Sequence, residues 1–527
     1  MTRPPFELAL DLNGDLDFAD ASEVLSADVL EWQAQVGADA PFTDMARANT
    51  LRATLRNTDQ RYSPEHASGL AGFEPGALIR LRLTDPATAA VTTRFIGWID
   101  EDGLEVVPGQ HGARETQVRA SGFFTRLLDQ PVRVPLQTGK RADEIIDAIL
   151  QRAISYPPGL AAWLLGDPLL SQLGVTTFLA SGVADYASLE QGATVFSYAG
   201  DTWARDTSAF RALSDVVRAE RGFLYESPEG KLVFYNRHHW QVDMATAVDA
   251  TLSDADVSVD REMEYAYGNV VNRCVVKFHP RSVGSSTEVL AQSSAAPRVI
   301  AGQTHTLRLM LDDGSGNRIG ATALITPVAN VDWTANSAED GSGTDVTSAV
   351  SVSAVADANA IELTFVNSGA QDAYIRSLQV RGTRLTDFGE VELSYQDDAS
   401  IRAYKKQVRT LDLGFVDDFV FAGQLSIAEV QAHKTPTGQV RSIGLLPAGR
   451  PSLLTYALSQ GIGARIALAE TQTGASGDYH LIGRQEGMGR NQQYWIRQFL
   501  QPAPLATAWI LGVAGYSELG ETSYLGL

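Results

Sequence analysis

Gly76-Ala-Leu-Ile-Arg-Leu81 and Gly463-Ala-Arg-Ile-Ala-Leu468 spell one pattern twice: a glycine, then an alternating run with Ala, Ile and Leu at the same places. An Ile-Gly pair follows each, with Gly97 21 residues after the first glycine and Gly483 20 residues after the second. Side chains of a strand alternate between its faces, so a shared apolar spacing of two implies a shared buried face. The copies lie near opposite ends of a 527-residue chain. They predict two related β domains, the second split by the sequence between them.

The surroundings of the first copy read as further strands. Phe6 to Leu12 alternates, Asn13-Gly14 is a preferred hairpin dipeptide, and Asp15 to Phe18 alternates again. Asp20 or Ser22 caps a short helix over Glu23 to Ala27, Val29 to Val36 is extended, and Leu51 to Asn57 and Arg94 to Asp100 complete a barrel or sandwich. The period then becomes helical, with Ile145, Ile146, Ile149 and Leu150 on one face. Ser208 caps a second helix that ends at Gly222, and a hairpin joins Phe223–Glu226 to Lys231–Tyr235. Asn269 to Phe278 is strand-like, and Arg281 to Pro297 is a Ser- and Ala-rich linker. Thr306–Leu311, Val350–Ser353, Ile361–Phe365 and Tyr374–Val380 then make a β-sandwich that ends near Arg384. The interrupted β domain resumes with helices over Ser400–Lys405 and Ala422–His433 and strands over Val440–Leu446, Gly463–Leu468 and Tyr479–Gly483.

A second internal likeness is shorter. Trp163, Gly166, Ser171, Leu173, Gly174, Thr176 and Leu179 recur as Trp509, Gly512, Ser517, Leu519, Gly520, Thr522 and Leu525, at a constant offset of 346 residues. Its glycines each cost a helix roughly 1 kcal/mol against Ala, so strand, turn, strand is the expected form. Each copy either packs on its own domain or serves as a docking segment; Ile510, Leu511 and Tyr524 complete the C-terminal one.

Composition limits the function. A net charge of -21 excludes a surface that grips DNA, because phosphate binding needs clustered Lys and Arg. Cys274 is the only cysteine, so no internal disulfide and no multi-cysteine metal site exists. No stretch reaches the roughly 18 apolar residues of a membrane helix, and acids interrupt the apolar residues at the N-terminus before a signal-peptide core forms. Asp11, Asn13, Asp15 and Asp17 lack the Gly and Glu of a calcium loop, having Leu16 and Ser22 in those places. Asp312-Asp313-Gly314 reads as a turn, Gly139-Lys140-Arg141 as a helix approach and Cys274 as a buried structural thiol. His238 and His239, read as strand neighbours, point to opposite faces and cannot share a metal. No Gly-x-Ser-x-Gly, His-Glu-x-x-His or Cys-x-x-Cys is present, so the expectation is no catalytic residue, no metal and no cofactor.

Several stretches together resemble the tail-tip or baseplate hub proteins of tailed bacteriophages and related particles. Leu55-Arg-Asn-Thr-Asp-Gln-Arg-Tyr-Ser-Pro64 is similar to a recurrent segment of that family, and Phe95-Ile-Gly-Trp-Ile-Asp100 to the strand that follows it. Ser208 to Arg237 is similar to its middle domain, and Trp509 to Leu525 to the C-terminal ends of minor tail proteins. The resemblance implies a mainly β, multidomain chain. Residues 1–120 and 251–282 with 385–505 form two tail-tube-like β-barrel domains, 121–250 a mixed α/β middle domain, 283–384 an inserted immunoglobulin-like β-sandwich and 506–527 a docking segment. It also implies a homotrimer whose six barrels meet a sixfold tube. The implied partners are a distal tail or tail tube protein, a tape measure protein and tail fibre or spike proteins, with DNA passing transiently through the channel. The implied place is the virion tail tip, assembled in the host cytoplasm. Rival readings are an adhesin whose sandwich binds host-surface glycan and a cell-wall hydrolase.

Overall fold

The computed structural model describes residues 4–503 apart from 15–17, 19, 110–112, 155–186, 205, 243–247, 258–260, 265–268, 294, 315–318, 437, 470 and 472–475. The chain is mainly β and multidomain. Twelve strands form one continuous sheet. Numbered along the chain they are β1 (Phe6–Leu10), β2 (Val29–Gly37), β3 (Thr50–Arg56), β4 (Leu78–Thr84), β5 (Val91–Val107), β6 (Glu115–Ser121), β7 (Ala250–Ser253), β8 (Arg261–Glu264), β9 (Gln439–Leu445), β10 (Arg465–Ala469), β11 (Gly477–Met488) and β12 (Tyr494–Pro502).

The order across the sheet is β1-β4-β5-β6-β3-β2, then β11-β12-β9-β8, with β10 also on β11 and β7 on β10. The second half therefore runs β7-β10-β11-β12-β9-β8, the first order with every number raised by six. One pairing departs: β1 is antiparallel to β4, whereas β7 is parallel to β10. Residues of both halves fill one core, including Leu8, Leu81, Phe95, Ile443, Leu481 and Leu500. Burial of each such side chain contributes about 1.5–3 kcal/mol. Among the described residues neither half closes into the expected barrel, because β2 gives its second edge to β11 of the other half instead of returning to its own.

The repeated pattern marks equivalent backbone. Gly76 and Gly463 precede β4 and β10 with φ of 87° and 99°, a conformation that favours glycine. Gly76 donates its N–H to Ile99 O at 2.8 Å, and Ile99 donates to Ala77 O at 2.9 Å; Gly463, Leu481 and Ala464 repeat both bonds at the same distances. The Ile-Gly pairs are not equivalent, since Gly97 lies two residues before Ile99 and Gly483 two residues after Leu481.

Several local expectations are corrected. β1 pairs with β4 and bridges Val24, and most of the second arm of the hairpin expected at Asn13-Gly14, Asp15 to Phe18, lies outside the described residues. Two short 3-10 turns, Ala21–Glu23 and Ser26–Asp28, replace the helix over Glu23 to Ala27. Ser208 does cap the helix Ala209–Glu220, but the left-handed terminal residue is Arg221, with φ 62°, and not Gly222. Gly222 is small because a Cβ there would lie 2.6 Å from the Phe234 ring and from Tyr235 O. The expected linker is strand: Arg281–Val283 and Glu288–Ser293 both pair with Leu378–Asp387.

The segment between β8 and β9 also folds differently from the expected division. Val391–Gln396, Arg273–Phe278 and Val408–Leu413 make a separate three-stranded sheet. Its Cys274, Val276, Leu411 and Leu413 share a core with the helices Phe123–Leu128, Ala142–Ile154, Ala209–Glu220 and Phe419–His433. These residues, expected in the second tube-like domain, belong by packing to the α/β part. Between Phe278 and Val391, which face each other in that sheet, the sandwich strands enclose their own core of Trp333, Phe365, Ile375 and Val380.

Candidate assembly surface

The joint between the two halves is antiparallel, Trp32 to Gly37 of β2 lying opposite Met488 to Gly483 of β11. Gly37 and Gly483 face each other at one end of the joint. A Cβ on Gly37 would lie 2.5 Å from Ile482 O, and one on Gly483 2.2 Å from Ala38 O. Only glycine fits either place without moving the strands.

A buried charged group ties the halves together beneath this joint. Arg94 of β5 donates through Nε to Glu486 Oε1 at 2.8 Å and through Nη2 to Oε2 at 3.0 Å. It also donates to Leu458 O at 3.1 Å and Ala457 O at 3.4 Å. Tyr494 donates to Glu486 Oε2 at 2.6 Å, and Arg484 lies 3.2 Å from Oε1. Burial alone pushes the Glu486 carboxyl up, but Arg94 and Arg484 hold it below its ordinary value. Burial and then the charge of Arg94 push Arg484 down to about 10. At the rim, Arg490 bonds Glu115 of β6 at 2.6 and 2.8 Å and Glu31 of β2 at 3.2 Å.

The counterpart of this joint is open. Beyond Trp98, β5 leaves β4, and its Leu104–Val107 tip bonds only β6; the corresponding part of β11 bonds both β12 and β2. Likewise β8, the counterpart of β2, pairs only with β9. Among the described residues the β5 tip and β8 thus lack the partner that their counterparts have, while β1 and β7 are the sheet's other terminal strands.

The segments predicted as docking sites, Trp163 to Leu179 and Trp509 to Leu525, lie outside the described residues. His238 and His239 are not strand neighbours, because the chain turns into the short helix His239–Val242. There His239 stacks on Tyr235 with ring centroids 3.5 Å apart, and a Glu190 oxygen lies 3.4 Å from its Nδ1. Lys140 and Arg141 lead directly into the helix Ala142–Ile154, as read from the sequence. Gly314 donates its N–H to Asp312 Oδ1 at 2.7 Å, a side-chain-supported turn. Cys274 is fully buried, and burial pushes its thiol up to about 11. Among the described residues no three His, Cys, Asp or Glu groups are placed to hold a metal, and no helix is long and apolar enough to cross a membrane. Sequence reading missed the unpaired edges, although the repeat at Gly76 and Gly463 marks the two strands from which their equivalence follows.

No protein-family model matches the chain, and no curated protein matches its sequence. A tail protein from Neisseria meningitidis is similar in structure, with 10% identity and TM-score 0.47 over 94% of this chain and 96% of that one. The 43 kDa tail protein of prophage MuSo2 from Shewanella oneidensis has 8% identity and TM-score 0.46 over 96% and 100%. Prophage tail protein gp18 from Listeria monocytogenes has 5% identity and TM-score 0.39 over 94% of each chain. Likenesses this distant assign neither a family nor a role to the chain.

Proposed function

We propose that the chain is a structural, non-enzymatic hub of a phage or phage-like tail tip, in which three copies close into a ring. The observation that carries this reading is the twofold repetition of one six-strand order within a single sheet. Three copies then present six like units, which matches a sixfold tube to a threefold tip. The tail segments resembled at Leu55–Pro64 and Phe95–Asp100 support the same assignment, for Leu55 and Phe95 belong to β3 and β5 of the first unit. In this reading residues 6–121, with 250–264 and 439–502, are the two tube-like units. The ring joins a distal tail or tube protein and the tape measure protein to fibres, and its acidic wall lets DNA pass. The sandwich is a spacer, and Trp509 to Leu525 dock on a neighbouring subunit or fibre.

The decisive measurement is the mass of the purified chain together with averaged electron micrographs. A three-copy ring with six peripheral lobes is expected. A single-copy mass at all concentrations would sink the proposal. Truncation after Pro504 is expected to leave folded subunits whose ring or fibre attachment is weakened, and unaltered assembly would return the Trp unit to internal packing.

A further inference from the structure

Resting on the ring reading, the geometry points to the contact that closes it: we propose that β8 of one copy pairs antiparallel with the Leu104–Val107 tip of β5 in a second copy. The template is the joint already built inside the chain. There the last strand of the first half, β2, is paired with the distal part of the long strand of the second half, β11. The corresponding last strand β8 and corresponding long-strand tip of β5 are both left without that partner among the described residues. An exposed row of backbone donors and acceptors invites another strand. A β8–β5 contact is head-to-tail, the class that generates rings when the rotation closes.

The equivalence also sets the register. The matched bonds of Gly76 and Gly463 align Ile99 with Leu481. Their cross-strand partners, Ala120 and Leu500, then align β6 with β12. Val118, equivalent to Gln498, is opposite Leu104 and Ala53; Gln498 is opposite Arg484 and Ile443. Ala53 faces Trp32 and Ile443 faces Arg261, so β8 aligns with β2. Transferring the β2–β11 pairs Gln33–Gly487, Gln35–Gln485 and Val36–Arg484 puts Glu262 opposite Val107, Met263 opposite Glu105 and Glu264 opposite Leu104. Each row sets one acid against an apolar residue, so no two like charges face each other directly. Shifting the partner by one residue in the direction that moves Glu264 off Leu104 and onto the next position sets it against Glu105, a destabilising like-charge pair. Glu105 therefore discourages a slip in that direction.

The full-length chain carrying Val107→Cys and Glu262→Cys tests the pairing; buried Cys274 supplies no link of its own. Mild oxidation is expected to yield disulfide-linked two- and three-copy bands, absent from either single-cysteine variant and from the mismatched pair Val91→Cys with Glu262→Cys. Independently, Val107→Asp is expected to weaken association at least tenfold, and adding Glu262→Lys to restore it. A three-copy mass without cross-linking, or association unmoved by Val107→Asp, discards this pairing and keeps the ring. A single-copy mass at every concentration discards both.

Discussion

Arg94, Arg484, Glu486 and Tyr494 are held with almost no exposure, two cations sharing one carboxylate. Such a group contributes little over a packed apolar one while intact, but removing a single partner leaves charge stranded in the core at a cost of about 3–5 kcal/mol. Glu486→Gln strands both guanidinium groups and is expected to lower the stability of the large sheet by that amount in urea unfolding. A loss under about 1 kcal/mol would mean that water reaches the group. Glu226 gives a pH-dependent counterpart. It is fully buried and accepts the N–H of Phe123 at 2.6 Å, and burial pushes its carboxyl up to about 7 in spite of that bond. Its folded state thus holds the proton more tightly than the unfolded chain, where the group titrates near its ordinary 4.5. This contribution is present below pH 4.5 and is lost as pH rises through about 7, a change on the order of 3 kcal/mol. Glu226→Gln is expected to flatten the stability profile between those values. An unchanged profile would place the titration elsewhere.

Elements whose identity depends on local pattern were readable, and those decided by distant partners were not. The alternation of Leu51, Ala53 and Leu55 announces β3, and the positive-φ glycines before β4 and β10 carry the repeat. Arg281–Val283 and Glu288–Ser293 are strands because Leu378–Asp387, whose paired residues lie 85 to 106 positions later in sequence, offers them an edge. The helix Pro451–Ser459 went unread between two strand patterns, though Pro at its first turn is a fitting start. The open edges of β8 and β5 are properties of sheet order, which no single stretch encodes. The sandwich leaves and re-enters the chain through one antiparallel pair, Val283 opposite Leu385. Replacing residues 284–384 with Asn-Gly completes a two-residue hairpin there. It also keeps Arg281 on Asp201 Oδ2 at 2.7 Å and on Gly414 O at 2.7 Å. The deletion removes the hydrogen bonds that Asn359 donates to Asp201 O and Trp203 O, and the one that Glu362 accepts from Arg133. The shortened chain is expected to fold and form the same ring, with an unfolding midpoint a few degrees lower. Insoluble product would show that the sandwich completes the α/β core. A ring that assembles into tails unable to adsorb would favour the adhesin reading.

At the scale of the molecule, charge and assembly oppose each other. Every copy carries a net charge of -21, so copies meeting edge to edge repel. The proposed contact brings together backbone groups and rows of one acid with one apolar residue, none of which gains from opposite charges across the boundary. Salt therefore acts mainly on the repulsion. Raising ionic strength from about 0.01 M to 0.15 M shortens the screening length from roughly 30 Å to 8 Å. Ring formation is expected to strengthen over that range, read as a lower midpoint concentration in sedimentation. Duplex DNA should show no gel shift at either salt, since phosphate binding by clustered cations is strongest when salt is low. Association that weakens with salt would instead mean that complementary charged patches hold the copies together. Pairing of β8 with the β5 tip would then be insufficient to close the ring.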